Sequence, residues 1–408
     1  MYLVRQAGGW FRRQLEPRLG GVVRGHEWVA GDVVVPFVLT RIGLLLVGWF
    51  SAHFPMRETF PHPEVLARGW WFSPHRWIDI WGRWDTGWYL DIVRHGYYLK
   101  GELGIVENNV NFFPLFPYVV RALVFIIPAG VRTDGAILAL GALISSTAAV
   151  VGLAFVVALV RKLWCDGALA RRVVWYMLLF PAGFVLSCFL SEGLYLCVTA
   201  AAFWAANRRA WWAAGIFGAL AALTRPLGVL VVVPLAWMYA EQIQWDVHKL
   251  RVGHLLWLAL IPGAWVGLMG AMYTLTGHPL TPYASQRAWG WVDRFYWPWQ
   301  TLLHPAGSIP YIEPIQRVVV VLFIALSIVA LVKLPSRSYG IYMVSMVLPA
   351  LLGKPSLPTI RYAIVLFPGF ILLARLGRHE WVHGSLIAVM WTVQVLLFFA
   401  WCQLYYVL

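Results

Sequence analysis

Apolar runs close to twenty residues long recur along this chain from Val33 to its end, separated by short polar turns. A helical run of about twenty residues rises about 30 Å, the thickness of a bilayer's hydrocarbon core. The pattern therefore predicts an all-α polytopic membrane protein. The first spanning helix is expected at Val33–Ala52 and the next strong one at Gly135–Val160. After these come Arg172–Cys188, Gly193–Ala206, Trp211–Thr224, Pro226–Ala240 and Leu255–Leu275, then Arg317–Val332, Tyr339–Leu352, Ile360–Ala374 and Gly384–Leu404. Phe112–Pro128 is also apolar, but Pro114, Pro117 and a central Arg121 make it the poorest spanner. It is read as re-entrant or interfacial, which leaves about eleven spanning helices.

Polar segments give the chain its orientation. Residues 1–32 carry Arg5, Arg12, Arg13, Arg18 and Arg24 without an apolar core, so they read as a cytoplasmic basic arm before one transmembrane domain over 33–408. Short turns holding Arg161/Lys162/Arg171/Arg172, Arg208/Arg209, Lys249/Arg251, Lys333/Arg337 and Arg375/Arg378 belong on the same side, since basic residues stay cytoplasmic. The long loop 53–111, rich in Trp, Pro and Arg, then lies outside. So do the turns after Cys188, Thr224, Leu275 and Leu352. Those turns carry Ser191-Glu192, Arg225-Pro226, the Gln286–Gly290 stretch and the Ser356–Tyr362 stretch. Charges at or just inside helix ends are costly in lipid and point to function.

Composition sharpens this picture. Hydrophobic residues make up 61% of the chain, and 25 of its 408 residues are Trp, which excludes an ordinary soluble domain. The formal charge of +14 sits in short loops, which suits orientation and anionic membrane lipids rather than nucleic acid. Cys165, Cys188, Cys197 and Cys402 lack metal-like spacing and read as helix fillers. The histidines are scattered, so no metal site is expected. No glycine-rich phosphate loop or dinucleotide fingerprint occurs, so a nucleotide-dependent domain has no place here.

The densest chemistry lies in Arg83–Tyr97, where two carboxylates, two arginines, a histidine and four large aromatics share fifteen positions. As a helix starting at Asp85 it places Trp88, Tyr89 and Ile92 on one face and Asp91, Arg94 and His95 on the flanks. That is the pattern of an amphipathic helix at a membrane interface. Asp85 has two readings: a helix N-cap or a catalytic base. Asp79 and Asp91 are rival acids in the same loop. Glu192 starts a helix and suits its positive end. Arg225, Arg287 and Arg361 are candidate phosphate contacts, each open to the plainer reading of interfacial snorkelling. Tyr362 and Trp289 fit an aromatic belt or a stacking surface.

Six motifs in register resemble one family. Arg83-Trp84-Asp85-Thr86-Gly87-Trp88-Tyr89-Leu90 with His95-Gly96-Tyr97 resembles the signature of PIG-V-type mannosyltransferases, the second mannosyltransferases of GPI assembly and their prokaryotic relatives in the GT-C superfamily. Asn111-Phe112-Phe113-Pro114-Leu115-Phe116-Pro117 is similar to the family's Phe-Phe-Pro-Leu-Tyr-Pro segment, with Phe116 in place of Tyr. Leu190–Tyr195 resembles its Ser-Glu-Ser-Leu-Phe turn, with Gly193 in place of Ser. Leu220–Gly228 resembles its Thr-Arg-Pro block, and Gln286–Gly290 and Ser356–Tyr362 resemble its Gln…Trp-Gly and Pro-Arg-Tyr elements.

The resemblance implies a GT-C fold with amphipathic helices and an essential acid, Asp85, in the first outer loop. It implies a dolichyl- or other polyprenyl-phosphate mannose donor and no cofactor. Arg225, Arg361 and Arg287 are then the expected phosphate partners, with Arg83, Trp84, Tyr89, Glu192, Gln286, Trp289 and Tyr362 around the substrates. Phe112–Pro128 and its neighbours would hold the prenyl chain. The acceptor is a glycolipid, glycan or protein hydroxyl, and the setting a bacterial plasma membrane, or the endoplasmic reticulum in a eukaryote. The rival class is a lipid or sugar transporter or flippase, which should show inverted repeats or paired broken helices; no clear internal repeat is present.

Overall fold

The computed structural model describes residues 27–57, 61–288, 296–303, 312–352 and 359–407. Among these it is helical throughout, with no strand beyond an isolated bridge between Leu103 and Val106. The principal helices are α1 (Ala30–Ser51), α2 (Thr86–His95), α3 (Leu115–Val124), α4 (Asp134–Trp164), α5 (Gly167–Leu179), α6 (Glu192–Asn207) and α7 (Trp211–Ala222). They continue with α8 (Pro226–Gln242), α9 (Val252–Thr276), α10 (Glu313–Lys333), α11 (Ser338–Leu352), α12 (Thr359–Ala363), α13 (Phe367–Leu376) and α14 (Glu380–Cys402). Five of them, α1, α4, α9, α10 and α14, are long and apolar enough to cross a membrane.

Two expected helices are broken, each at a proline. The segment expected at Arg172–Cys188 starts earlier, as α5, and ends at Leu179; a 3-10 turn at Gly183–Ser187 follows. Pro181 supplies no N–H and drives Phe180 out of helical geometry (φ −53°, ψ 144°). Buried Arg41 of α1 takes up polar groups this break frees, donating to the Gly183 carbonyl (2.9 Å) and the Ser187 hydroxyl (2.6 Å). Irregular backbone at membrane depth survives only where protein satisfies it. The segment expected at Ile360–Ala374 splits into α12 and α13 ahead of Pro368, and the Tyr342 hydroxyl donates to the Val365 carbonyl at the break (3.2 Å). α3 has ten residues and so rises only about 15 Å, half a hydrocarbon core.

The core is a set of closely packed helices. α4 lies along α6 through small residues, and a Cβ built on Gly193 would fall 2.3 Å from the Ser145 carbonyl oxygen. Close approach through small side chains is how helices associate in lipid, where the hydrophobic effect does not drive them together.

The basic turns gather at one end of the bundle. Lys162 donates to the Asn207 carbonyl (2.8 Å), Arg172 to Ala374 (3.0 Å) and Arg375 to Lys333 (3.4 Å). Each cation meets the C-terminal carbonyls of a neighbouring helix, where the helix dipole favours it. The helix ends carrying Glu192, Arg225 and Arg361 meet at the other end.

Candidate active site

The loop that holds Asp85 is knitted into the bundle ahead of it. The Trp401 indole donates to the Ile80 carbonyl (2.9 Å), and the Phe189 N–H donates to the Trp81 carbonyl (2.9 Å). Asp79 accepts the N–H groups of Trp71, Phe72 and Ser73 on one oxygen (3.1, 2.7 and 3.0 Å) and pairs with Arg83 on the other (2.9 Å). It is fully engaged as a loop anchor. Asp91, the second rival acid, contacts His95 (2.9 Å) and accepts from Tyr98 (3.2 Å) and Asn109 (2.8 Å), away from the cavity wall. Arg83 is wholly buried against Asp79, so it holds the loop and does not face the cavity.

Trp84 adopts a left-handed backbone (φ 52°), and its ring meets Trp71 and Tyr406 edge to face. A non-glycine residue in that region needs surrounding structure to hold it. Here it turns the chain so that Asp85 begins α2. Asp85 occupies the N-cap position, yet its side chain makes no capping hydrogen bond. Its carboxylate reaches Arg361 of α12 instead. Asp85 thus holds the N-cap position without its side chain capping the helix.

Four charges stand in a row. Arg225 donates from Nη1 to Glu192 Oε1 (2.6 Å), Arg361 donates from Nε to the same oxygen, and Arg361 Nη1 pairs with Asp85 Oδ2. The chain 85–192–225–361 is brought together from four separate segments. Glu192 is fully buried, and Arg225 and Arg361 nearly so. Burying ions is costly unless they are paired and hydrogen-bonded; with two guanidiniums and two carboxylates the row sums to zero charge. The Arg225 guanidinium also lies over the Tyr362 ring, 4.6 Å from its centroid.

Local backbone geometry sets Arg225. It is extended (φ −149°, ψ 153°) between α7 and α8. The turn after it folds so tightly that a Cβ on Gly228 would lie 1.9 Å from the Ala221 carbonyl oxygen, so only glycine fits.

The row borders a cavity of about 280 Å³, close to the lower end of the ~300–1,000 Å³ range of ligand pockets. Asp85, Arg225 and Arg361 line it with Tyr89, Ser191, Gln286 and Tyr362; Phe112, Phe113, Leu227, Pro349 and Val365 give it apolar walls. A cleft of about 20 Å³ between α10, α11 and α12 shares Met346 and Tyr362 with it. The Tyr89 hydroxyl donates to Ser191 Oγ (3.1 Å). Burial pushes this phenol up to about 12 against the pull of Arg361, so Tyr89 stays a neutral donor.

The residues expected at the site therefore divide. Asp85, Tyr89, Glu192, Arg225, Gln286, Arg361 and Tyr362 converge. Trp84 supports the turn. Arg287 is exposed, packed beside Gly104 and outside the cavity wall. Trp289 lies outside the described residues. Sequence reasoning passed over Asn111, Tyr195, Tyr283 and Tyr406, which also line the cavity. Asn111 had a signal: in Asn108-Asn109-Val110-Asn111, the first two amides are taken up by the loop. The third keeps a buried Oδ1 without a partner among the described residues. The tyrosines had none, because aromatic residues are spread all along this chain.

Among the described residues no three His, Cys, Asp or Glu side chains gather in a way that could hold a metal ion. Compared with known proteins, the chain matches no family model and no curated protein.

Proposed function

We propose that this protein is an inverting glycosyltransferase that moves mannose from a polyprenyl-phosphate donor to a hydroxyl of a glycolipid, glycan or protein acceptor. The reading includes a GT-C fold of about eleven crossings and a site at the outer face of the membrane. The observation that carries it is the row Asp85–Arg361–Glu192–Arg225 along one wall of a partly apolar cavity. A lipid-linked sugar phosphate brings its own leaving group. The enzyme then needs a base for the acceptor hydroxyl and positive charge for the departing phosphate. Asp85 supplies the first, a role that typically contributes about 10²–10⁴-fold. Arg225 and Arg361 supply the second as charge fixed in place before the reaction.

Tyr89, Gln286 and Tyr362 offer hydroxyl, amide and ring surfaces to a sugar. Arg287, set away from the wall, has no place in this step. The prenyl chain follows the apolar wall at Phe112 and Phe113. A single in-line displacement on a β-linked mannosyl phosphate yields an α-mannoside. PIG-V-type enzymes are the family this reading favours, on the motifs given above.

The test is direct. Purified protein is incubated with radiolabelled polyprenyl-phosphate mannose and a lipid extract, and label is followed into new glycolipid. Asp85→Asn should abolish transfer while the protein purifies folded. Retained turnover would remove Asp85 as the base. Labelled lipid crossing a liposome bilayer without any new product would make the protein a flippase.

A further inference from the structure

Arg361 is committed twice. Its Nε donates to Glu192 and its Nη1 to Asp85, the carboxylate read above as the base. While Asp85 Oδ2 is engaged by the guanidinium, that oxygen is not free to approach an acceptor hydroxyl. A base that starts the reaction tied to the guanidinium meant for the leaving group has to give that guanidinium up. Glu192 shows how this can occur without stranding Arg361. Both guanidiniums use its Oε1, while Oε2 is buried with no hydrogen-bond partner among the described residues. Buried polar atoms are seldom left unpaired. Oε2 is therefore an acceptor within reach once Arg361 turns away from Asp85.

We propose that Arg361 is a shared guanidinium. It holds Asp85 until a lipid-linked phosphodiester enters the cavity and competes for it, and it completes its transfer to the phosphate as Asp85 takes the acceptor's proton. The inference rests on the glycosyl-transfer reading. In the reacting step the acceptor oxygen bonds to the sugar's anomeric carbon and the carbon–phosphate-oxygen bond breaks. Its electron pair leaves with the phosphate, and the acceptor's proton goes to Asp85. The charges follow the same path. The four side chains sum to zero while Asp85 is ionised and to one positive charge once it is protonated. That positive charge appears at the moment the phosphate gains a negative one. Glu192 is the positioning residue, since it keeps both guanidiniums beside the cavity throughout.

The test turns on an affinity that rises when a catalytic group is removed. Binding of undecaprenyl phosphate to the full chain in lipid nanodiscs is measured for wild type and for Asp85→Asn. An asparagine cannot compete for Arg361 as an ion, so the variant should bind about tenfold more tightly while transferring no sugar. A residue with a merely structural role, or one that only touched the donor, would weaken binding when changed. Equal or weaker binding by Asp85→Asn overturns the sharing and leaves the glycosyl-transfer reading standing. No binding of undecaprenyl phosphate by either protein overturns both. Should Asp85→Asn fail to fold, Asp85→Ser also removes the charge, with a smaller side chain, and carries the same expectations.

Discussion

The two ends of the helix bundle use the same residue type in opposite ways. At one end, arginines and lysines donate to helix C-terminal carbonyls: Lys162 to Asn207, Arg172 to Ala374, Arg375 to Lys333. One acid there, Asp32, is itself buried and pairs with Arg161 and Arg171, whose side chains are 34% and 55% exposed. At the other end, Arg225 and Arg361 are 9% exposed and face carboxylates of separate segments. Basic residues of the first kind orient a chain in its membrane and complete its helices. Those of the second kind raise the energy of the fold unless their partners stay in place. The difference teaches that burial and pairing, more than the overall count of arginines, set what each cation does for this molecule; the buried pair Asp79–Arg83 anchors a loop, while Arg225 and Arg361 border a cavity.

The comparison breaks or holds most clearly at the two acids. Glu192→Gln leaves Arg225 and Arg361 buried side by side without their shared counter-charge. It should cost about 3–5 kcal/mol of stability, the range for one partner removed from a buried pair. Asp32→Asn removes an acid that is itself buried, but its partners Arg161 and Arg171 still reach solvent, so it should cost less, about 1–2 kcal/mol. Denaturant unfolding in a fixed detergent compares them. Similar losses for both would mean that burial does not separate the two ends.

Arg225→Lys sharpens the comparison at the next level. Lysine keeps the charge but loses the planar group stacked on Tyr362 and the fork proposed to meet a phosphate. A lysine cannot make the two-point contact proposed between Arg225 and the donor phosphate, so donor affinity should fall roughly tenfold. Arg208 is the matched control, since its guanidinium also lies over a ring, Trp204, but at the basic end. Arg208→Lys should leave donor affinity unchanged. Titration with undecaprenyl phosphate measures both, and an equal fall would place the effect in the bundle as a whole.

Much of this site was legible in the chain because charge is so scarce in it. Asp85, Glu192, Arg225 and Arg361 stand out against long apolar runs, and the alternation of basic turns was enough to put them at one end of the bundle. What the sequence could not supply was pairing. Asp79, Asp85 and Asp91 lie within thirteen positions of one loop and differ only in what folding brings to them. Three backbone N–H groups and Arg83 reach Asp79, and His95, Tyr98 and Asn109 surround Asp91. Asp85 alone of the three meets an arginine from the far end of the chain. Arg287 matched Arg361 in type and setting, yet one is exposed and the other buried, a matter of tertiary packing. Helix breaks followed the same rule: Pro181 and Pro368 were visible, but neighbouring apolar residues carried the periodicity straight through them.

The smallest effect belongs to Tyr89. Tyr89→Phe removes the hydroxyl that donates to Ser191 and changes little else in a well-packed wall. It should cost about 1 kcal/mol at neutral pH, the usual net value of one hydrogen bond. The pH dependence carries its own sign. Burial raises the folded phenol to about 12, while an unfolded tyrosine ionises near ~10. Above about 10 the unfolded chain releases this proton and the folded one retains it, so wild type loses stability as the pH climbs. Phenylalanine has no such proton to release. The gap between wild type and variant should therefore be largest at neutral pH, close as pH rises above about 10 and reverse before about 12, because that change in the phenol is worth more than the ~1 kcal/mol of the hydrogen bond. Unfolding of the two proteins across that window measures it, and a gap that stays constant would mean that Tyr89 is not the buried neutral donor described here.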